Sequence, residues 1–152
     1  MSQANDGGDP LSATHVVEYT YRRSLGPVLG RFFTALQERR IEGARTAAGR
    51  VIVPPSECDP ETSEATTGMV EVGPGGAVTS WTWVSQPRDR QPLDRPFAYA
   101  LILLDGADVP MLHAVDAGEE SRMRAGLRVR PRWREEPAGG ITDIECFEPQ
   151  DA

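Results

Sequence analysis

The chain has 152 residues, of which 23 are acidic and 16 basic, for a net charge of −7. That length suits one domain built on a single core, since a ~150-residue domain buries about 68–70% of its unfolded surface, and the acidic balance disfavours a general nucleic-acid binder, which needs positive charge to displace counterions. No apolar run approaches the ~18 residues of a membrane span, the opening MSQANDGGDPLSAT has neither the positive nor the apolar region of a signal peptide, and the two cysteines, Cys58 and Cys146, imply no disulfide framework and fit a reducing cytoplasm.

Residues 1–13 carry Gly7, Gly8 and Pro10 and almost nothing apolar, which predicts a disordered tail. Residues 14–43 hold an extended segment and a helix. HVVEYTY (15–21) clusters β-branched and aromatic residues. Ser24 is a candidate cap and Pro27 suits the first turn of a helix, where its missing N–H costs nothing. Val28, Leu29, Phe32, Phe33 and Leu36 then fall on one stripe, which predicts a helix over 27–41 ended by Gly43.

Residues 44–68 read differently. VIVPP (51–55) is a short strand stopped by two prolines, and the polar, acidic SECDPETSEATTG that follows is a longer connection than most. From Met69 the pattern is all β. MVEV and AVTSWTWV around a PGG turn predict a hairpin-like pair. A polar loop, QPRDRQPLDRP (86–96), leads into Phe97–Leu104, which is continuously apolar. Asp105-Gly106 marks a turn, Met111–Val115 returns as a strand with Pro110 at its start, Leu127–Arg134 alternates with period two, and Ile141–Phe147 closes the sheet. Five or six strands in about 80 residues suggest a small barrel, with the five-stranded OB fold the match in size. The predicted class is mainly β with an N-terminal helix, and the barrel spans 69–148.

No set of residues for catalysis stands out. There is no C-x-x-C or H-x-x-x-H for a metal and no G-x-S-x-G elbow. The absence of lysine removes Schiff-base and phosphate-loop lysine chemistry. His113 lies mid-strand, read as a histidine satisfied by the sheet, with general acid–base work the alternative. The carboxylate pairs Asp59/Glu61, Glu119/Glu120 and Glu135/Glu136 lie in turn-like stretches and read as solvated surface. The main polar signal is arginine. Arg128, Arg130, Arg132 and Arg134 share one strand face, with Arg122 and Arg124 before it. Either the chain's own acids neutralise them, or they present a surface to an anionic partner or a phosphate such as that of coenzyme A. Trp81 and Trp83 share a strand face and read as barrel core or interface rather than a base-stacking platform.

Taken in order, SLGPVLGRFFTALQERRIEG, GRVIVPP, the GxVTSWTWV segment and PFAYALILLDGADVPMLHAVD resemble the DUF35 proteins, over about Tyr19–Phe147. That family has an N-terminal helix, a rubredoxin-like zinc ribbon and a C-terminal OB fold. The resemblance makes 44–68 a ribbon-like segment, and a degenerate one. Where the family has C-x-x-C-G and a second C-x-x-C, this chain has Arg45, Ala48 and Gly49, then Cys58 and Glu61, so no metal or other cofactor is expected. The resemblance further implies a non-catalytic accessory subunit, with no catalytic residue of its own. Its partner would be a thiolase-like enzyme acting on acyl-CoA, most like a lipid-transfer-protein-type aldolase that cleaves a steroid side chain. Phe32, Phe33, Leu36, Trp81 and Trp83 are the expected partner interface. Arg128, Arg130 and Arg132 are the candidate contacts to CoA or another anion. The competing expectation is an OB module that binds acyl-CoA or nucleic acid alone.

Overall fold

The computed structural model describes residues 13–20 and 24–150. Helix α1 (Gly26–Gln37) is followed by β1 (Ile41–Arg45), β2 (Val51–Ile52), β3 (Gly68–Val72), β4 (Gly76–Val84), β5 (Phe97–Leu104), β6 (Met111–Val115), β7 (Arg128–Trp133) and β8 (Ile144–Pro149). One-turn 3-10 helices precede β7 and β8. The predicted tail lies outside the described residues apart from position 13. Residues 13–20 form no strand, and Val16, Val17 and Tyr19 are exposed.

Strands β2-β1-β3 make a small antiparallel sheet, and β4-β5-β6-β8-β7 close into a barrel. All barrel pairs are antiparallel except β6 with β8. A five-stranded closed barrel in this order is the OB-fold topology expected from the sequence. Alternation along β5 positions it. Ala98, Ala100, Ile102 and Leu104 enter the main core, whereas Phe97 points outward into a second, smaller cluster with Leu93, Ala114 and Cys146. The 86–96 loop is therefore pinned to the barrel's outside by one apolar anchor, Leu93. Helix, small sheet and barrel share one hydrophobic cluster, in which Phe32, Leu36, Ile41, Val51 and Val72 join Val78, Ile102 and Phe147.

Two expectations are corrected. The helix stops at Gln37 and not near residue 41, because Arg39 takes a left-handed conformation (φ 60°) that turns the chain into β1. Gly43 is not a helix stop. It lies mid-strand, where a Cβ would come within 2.7 Å of Val51 and 2.8 Å of Val53. Second, β3 does not form a hairpin with β4. It pairs with β1, Ile41 opposite Val72, and the glycine-rich turn between β3 and β4 bonds instead to the β5–β6 turn. Gly73 N–H donates to the Asp105 carbonyl and Asp105 N–H to that of Gly75. The barrel strands therefore begin at Gly76.

Candidate binding cleft on the barrel

The arginine face is a product of β-strand alternation, and so is its neutralisation. Val129 points into the core while Arg128, Arg130 and Arg132 point out, next to β8, whose outward residues are Glu145 and Glu148. Arg128 makes a bidentate pair with Asp105 at 2.8 and 2.5 Å. Arg130 meets Glu148 at 3.1 Å. Arg132 meets Glu145 at 2.7 Å, Asp116 at 3.1 Å and Glu148 at 3.3 Å. Arg128 holds the Asp105 carboxyl below the usual range, and against the upward push of burial Arg95 and Arg132 together do the same for Asp116. The ladder is thus internally balanced, and the charge it offers to an external anion is small.

The expected interface residues divide. Phe32 and Leu36 are 1% and 0% exposed, so the chain's own core already encloses them. The helix turns that face inward because the small sheet and the barrel lie beneath it. Phe33, Trp81 and Trp83 are half-buried against the same core. Trp81 and Trp83 stand opposite Ala100 and Ala98, small residues whose volume the indoles use.

The residues at the positions where the resemblance implies a zinc ribbon do not fit the ion. The four positions that the resemblance assigns to thiolates carry Arg45, Ala48, Cys58 and Glu61. Among the described residues no group of three or more His, Cys, Asp or Glu gathers, and zinc ribbons need four N or S donors. In their place Arg50 spans the turns, reaching Glu61 at 2.6 Å and the buried Asp59 at 3.3 Å. Cys58 is an exposed free thiol. Cys146 is buried, and burial pushes its thiol up to about 11, so it is a neutral core residue.

One concave site combines residues that the sequence noted separately, His113 and Arg134, with others that it did not, Arg90, Leu112 and Ile141. Strands β6 and β8 are registered only at Val115–Phe147 and part toward their N-terminal ends. Leu112, His113, Ile144 and Glu145 line the resulting gap, with Tyr99 beside them. The 86–96 loop brings Arg90, Gln91 and Pro92 to one side, and the β7–β8 connection brings Arg134, Ile141 and Thr142 to the other. The cleft encloses about 410 Å³. His113 lies in its wall, edge-on to Phe147 at 5.4 Å, with Nδ1 3.5 Å from the Ala114 carbonyl. Burial holds its pKa below 6.5, so the ring is neutral near pH 7. Among the described contacts no carboxylate or hydroxyl hydrogen-bonds it, so the Ser–His–Asp arrangement that would make it a base is not assembled. The apolar outward residue Leu112, in a strand whose other face fills the barrel, was the one local sign of this site. Nothing in the sequence joins Arg90 to Arg134.

Residues 69–134 match the family model described as "ChsH2, C-terminal OB-fold domain". No curated protein matches the chain. Two solved structures share the fold. One is a protein of unknown function from the DUF35 family of Sulfolobus solfataricus (TM-score 0.57, 21% identity, 70% of this chain and 78% of that one). The other is a chain of the Ltp2-ChsH2(DUF35) aldolase (TM-score 0.60, 22% identity, 87% of this chain and 98% of that one). The N-terminal helix and the OB barrel expected from the DUF35 resemblance are observed, with the three-stranded sheet of β1, β2 and β3 between them.

Proposed function

We propose that this chain is a non-catalytic accessory subunit of an aldolase, bound to a thiolase-like enzyme of the lipid-transfer-protein type that cleaves an acyl-CoA by a retro-aldol reaction, with a steroid side chain as the substrate class. The observation that carries the reading is shared architecture. The fold extends over 87% of this chain and 98% of a chain in an aldolase assembly, small sheet and barrel together. The site chemistry agrees with it. Among the described residues the one cleft histidine is neutral and without a side-chain partner, so the nucleophile and the acid–base groups fall to the partner. In this reading the ribbon holds its shape without zinc, and Phe33, Trp81 and Trp83 contribute apolar and aromatic surface of the kind enriched at obligate interfaces.

The competing reading, an isolated module binding acyl-CoA or nucleic acid through Arg128–Arg132, loses its electrostatic basis to the pairing with Asp105, Asp116, Glu145 and Glu148. Co-expression with a thiolase-type aldolase subunit tests the proposal. Co-purification, with the partner's aldol cleavage dependent on this chain, is the expected result. A partner equally active and stable alone, or turnover by the isolated chain that is lost in His113→Ala, would overturn it.

A further inference from the structure

We propose that the cleft between the 86–96 loop and the β7–β8 connection binds a small amphipathic oxyanion. Its flat ring or short acyl chain would lie over Tyr99, Leu112 and Ile141, and its carboxylate or phosphate between Arg90 and Arg134.

Three observations carry this. The first is the contrast among arginines. Arg31, Arg40, Arg50, Arg95, Arg128, Arg130 and Arg132 each have a carboxylate partner. Among the described contacts Arg90 and Arg134 form no ion pair and no side-chain hydrogen bond, as is also true of Arg88 and Arg124, and Arg134 lies near enough to Asp143 to help hold that carboxyl low. Yet they come from loops on opposite sides and line the same cleft. The one carboxylate in its wall, Glu145, is bound to Arg132 at 2.7 Å. The cleft therefore offers two guanidiniums whose hydrogen-bond donors are unused, and their planar forks suit carboxylate and phosphate oxygens.

The second is the apolar floor. Leu112 and Ile141 are 61% and 40% exposed, and Leu101, opposite Leu112 on β5, is also exposed. Grouped apolar side chains left to water on a sheet face mark a contact surface more often than a lone one does. The third is position. The gap opens because parallel β6 and β8 separate beyond Val115–Phe147. It is held open on rigid strands, with Leu93 anchoring the loop that carries Arg90. A volume of about 410 Å³ falls in the range of small-molecule pockets, roughly 300–1,000 Å³. A nucleic-acid strand would need a continuing basic track, and the adjacent arginine ladder is neutralised.

The test is calorimetric titration of the full chain at low salt with 2-naphthoate and with 1-naphthyl phosphate, alongside the neutral 2-naphthamide. The expected result is binding of at least one anion, about tenfold weaker or worse in Arg90→Gln and in Arg134→Gln and for the neutral analogue. Arg124→Gln, an exposed arginine outside the cleft, should match the parent. Amide shifts on titration should centre on Tyr99, Leu112 and Ile141, and the tighter anion names the head group. The proposal is overturned by no binding of either anion, by equal binding of the amide, by an Arg124→Gln loss as large as that of Arg134→Gln, or by an oligonucleotide that displaces the anion in a salt-sensitive way. Both glutamine variants change exposed side chains that make no hydrogen bond or ion pair among the described contacts, and the amide comparison needs no variant.

Discussion

Arg50, in the β1–β2 turn, holds the buried carboxylate of Asp59 in the β2–β3 connection at 3.3 Å. Asp59 is 3% exposed, and its Oδ1 also accepts the Glu61 N–H at 2.9 Å. A guanidinium, a carboxylate and a turn amide thus join the β1–β2 turn to the β2–β3 connection. Removing either partner of a buried pair leaves the other poorly solvated. Asp59→Ala is expected to cost about 1–3 kcal/mol, read as a lowered urea midpoint. Chelator should leave the melting temperature unchanged. One equivalent of zinc in the purified protein, with melting lowered by its removal, would contradict the ionic clamp.

Two glycines should respond in opposite directions to the same substitution. At Gly43 an added Cβ meets Val51 and Val53 side chains and sits 3.0 Å from the Ile52 carbonyl, which cannot move without breaking the small sheet. Gly43→Ala is expected to lose about 1–3 kcal/mol by overpacking. Gly30 lies inside α1 with nothing within 4 Å of its would-be Cβ, so Gly30→Ala should gain about 0.5–1 kcal/mol through reduced chain entropy. Paired chemical denaturation curves decide it, and equal signs would refute the packing assigned to β1.

Arg132 is expected to matter more than its neighbours on the ladder. It is the least exposed of the three paired arginines and serves Asp116, Glu145 and Glu148 at once. Arg132→Ala leaves those carboxylates facing one another and should cost about 1–3 kcal/mol. The exposed Arg130–Glu148 pair should contribute less than about 1 kcal/mol in a double-mutant cycle, falling with salt. A larger coupling for Arg130 than for Arg132 would argue that the ladder is organised for something other than its own neutralisation.

Acid should weaken the fold in two stages. The folded pKa of His113 lies below its unfolded value because burial disfavours the imidazolium. The unfolded chain therefore binds the extra proton first, and stability falls as pH drops from about 6.5 toward the folded value. Asp143 comes later. Burial pushes its carboxyl up, but the N–H groups of Ala138 (2.8 Å), Gly139 (2.8 Å) and Gly140 (3.2 Å) outweigh that and hold it low. A depressed carboxyl contributes stability above its unfolded value of 3.8, lost as pH falls through the folded one. Urea midpoints against pH should show the first stage vanish in His113→Phe, which keeps a ring against Phe147, and the second shrink in Asp143→Asn, with Asp105 and Asp116 supplying the remainder. An unchanged profile in His113→Phe would mean that the imidazole is not buried as described.

Much of the barrel was legible because strand alternation is local. Phe97–Leu104 is the strand predicted, residue for residue, and Met111–Val115 begins after Pro110 as expected. The stripe on α1 was legible too, but not its use. Periodicity says that Phe32 and Leu36 must be covered, and only packing says that the barrel and small sheet cover them, with no partner required. The pairing of β3 was misread for the same reason. A glycine-proline turn between two strand-like runs looks like a hairpin locally, and it was the long-range bonds from Gly73 and Asp105 that sent β3 to β1.

By itself the sequence determined the apolar strands of the OB-sized barrel, the stripe on α1 and the arginines on one face of β7, all consequences of residue type and spacing along a single segment. Tertiary structure decided what those features face. The carboxylates opposite Arg128, Arg130 and Arg132 come from the β5–β6 turn, from β8 and from Asp116. Arg90 and Arg134, separated by the whole of β5, β6 and β7, meet at one cleft because the barrel closes and β6 parts from β8. Charge balance and concavity depend on distances between residues far apart in the chain, and those distances exist only once the sheet has curled and shut.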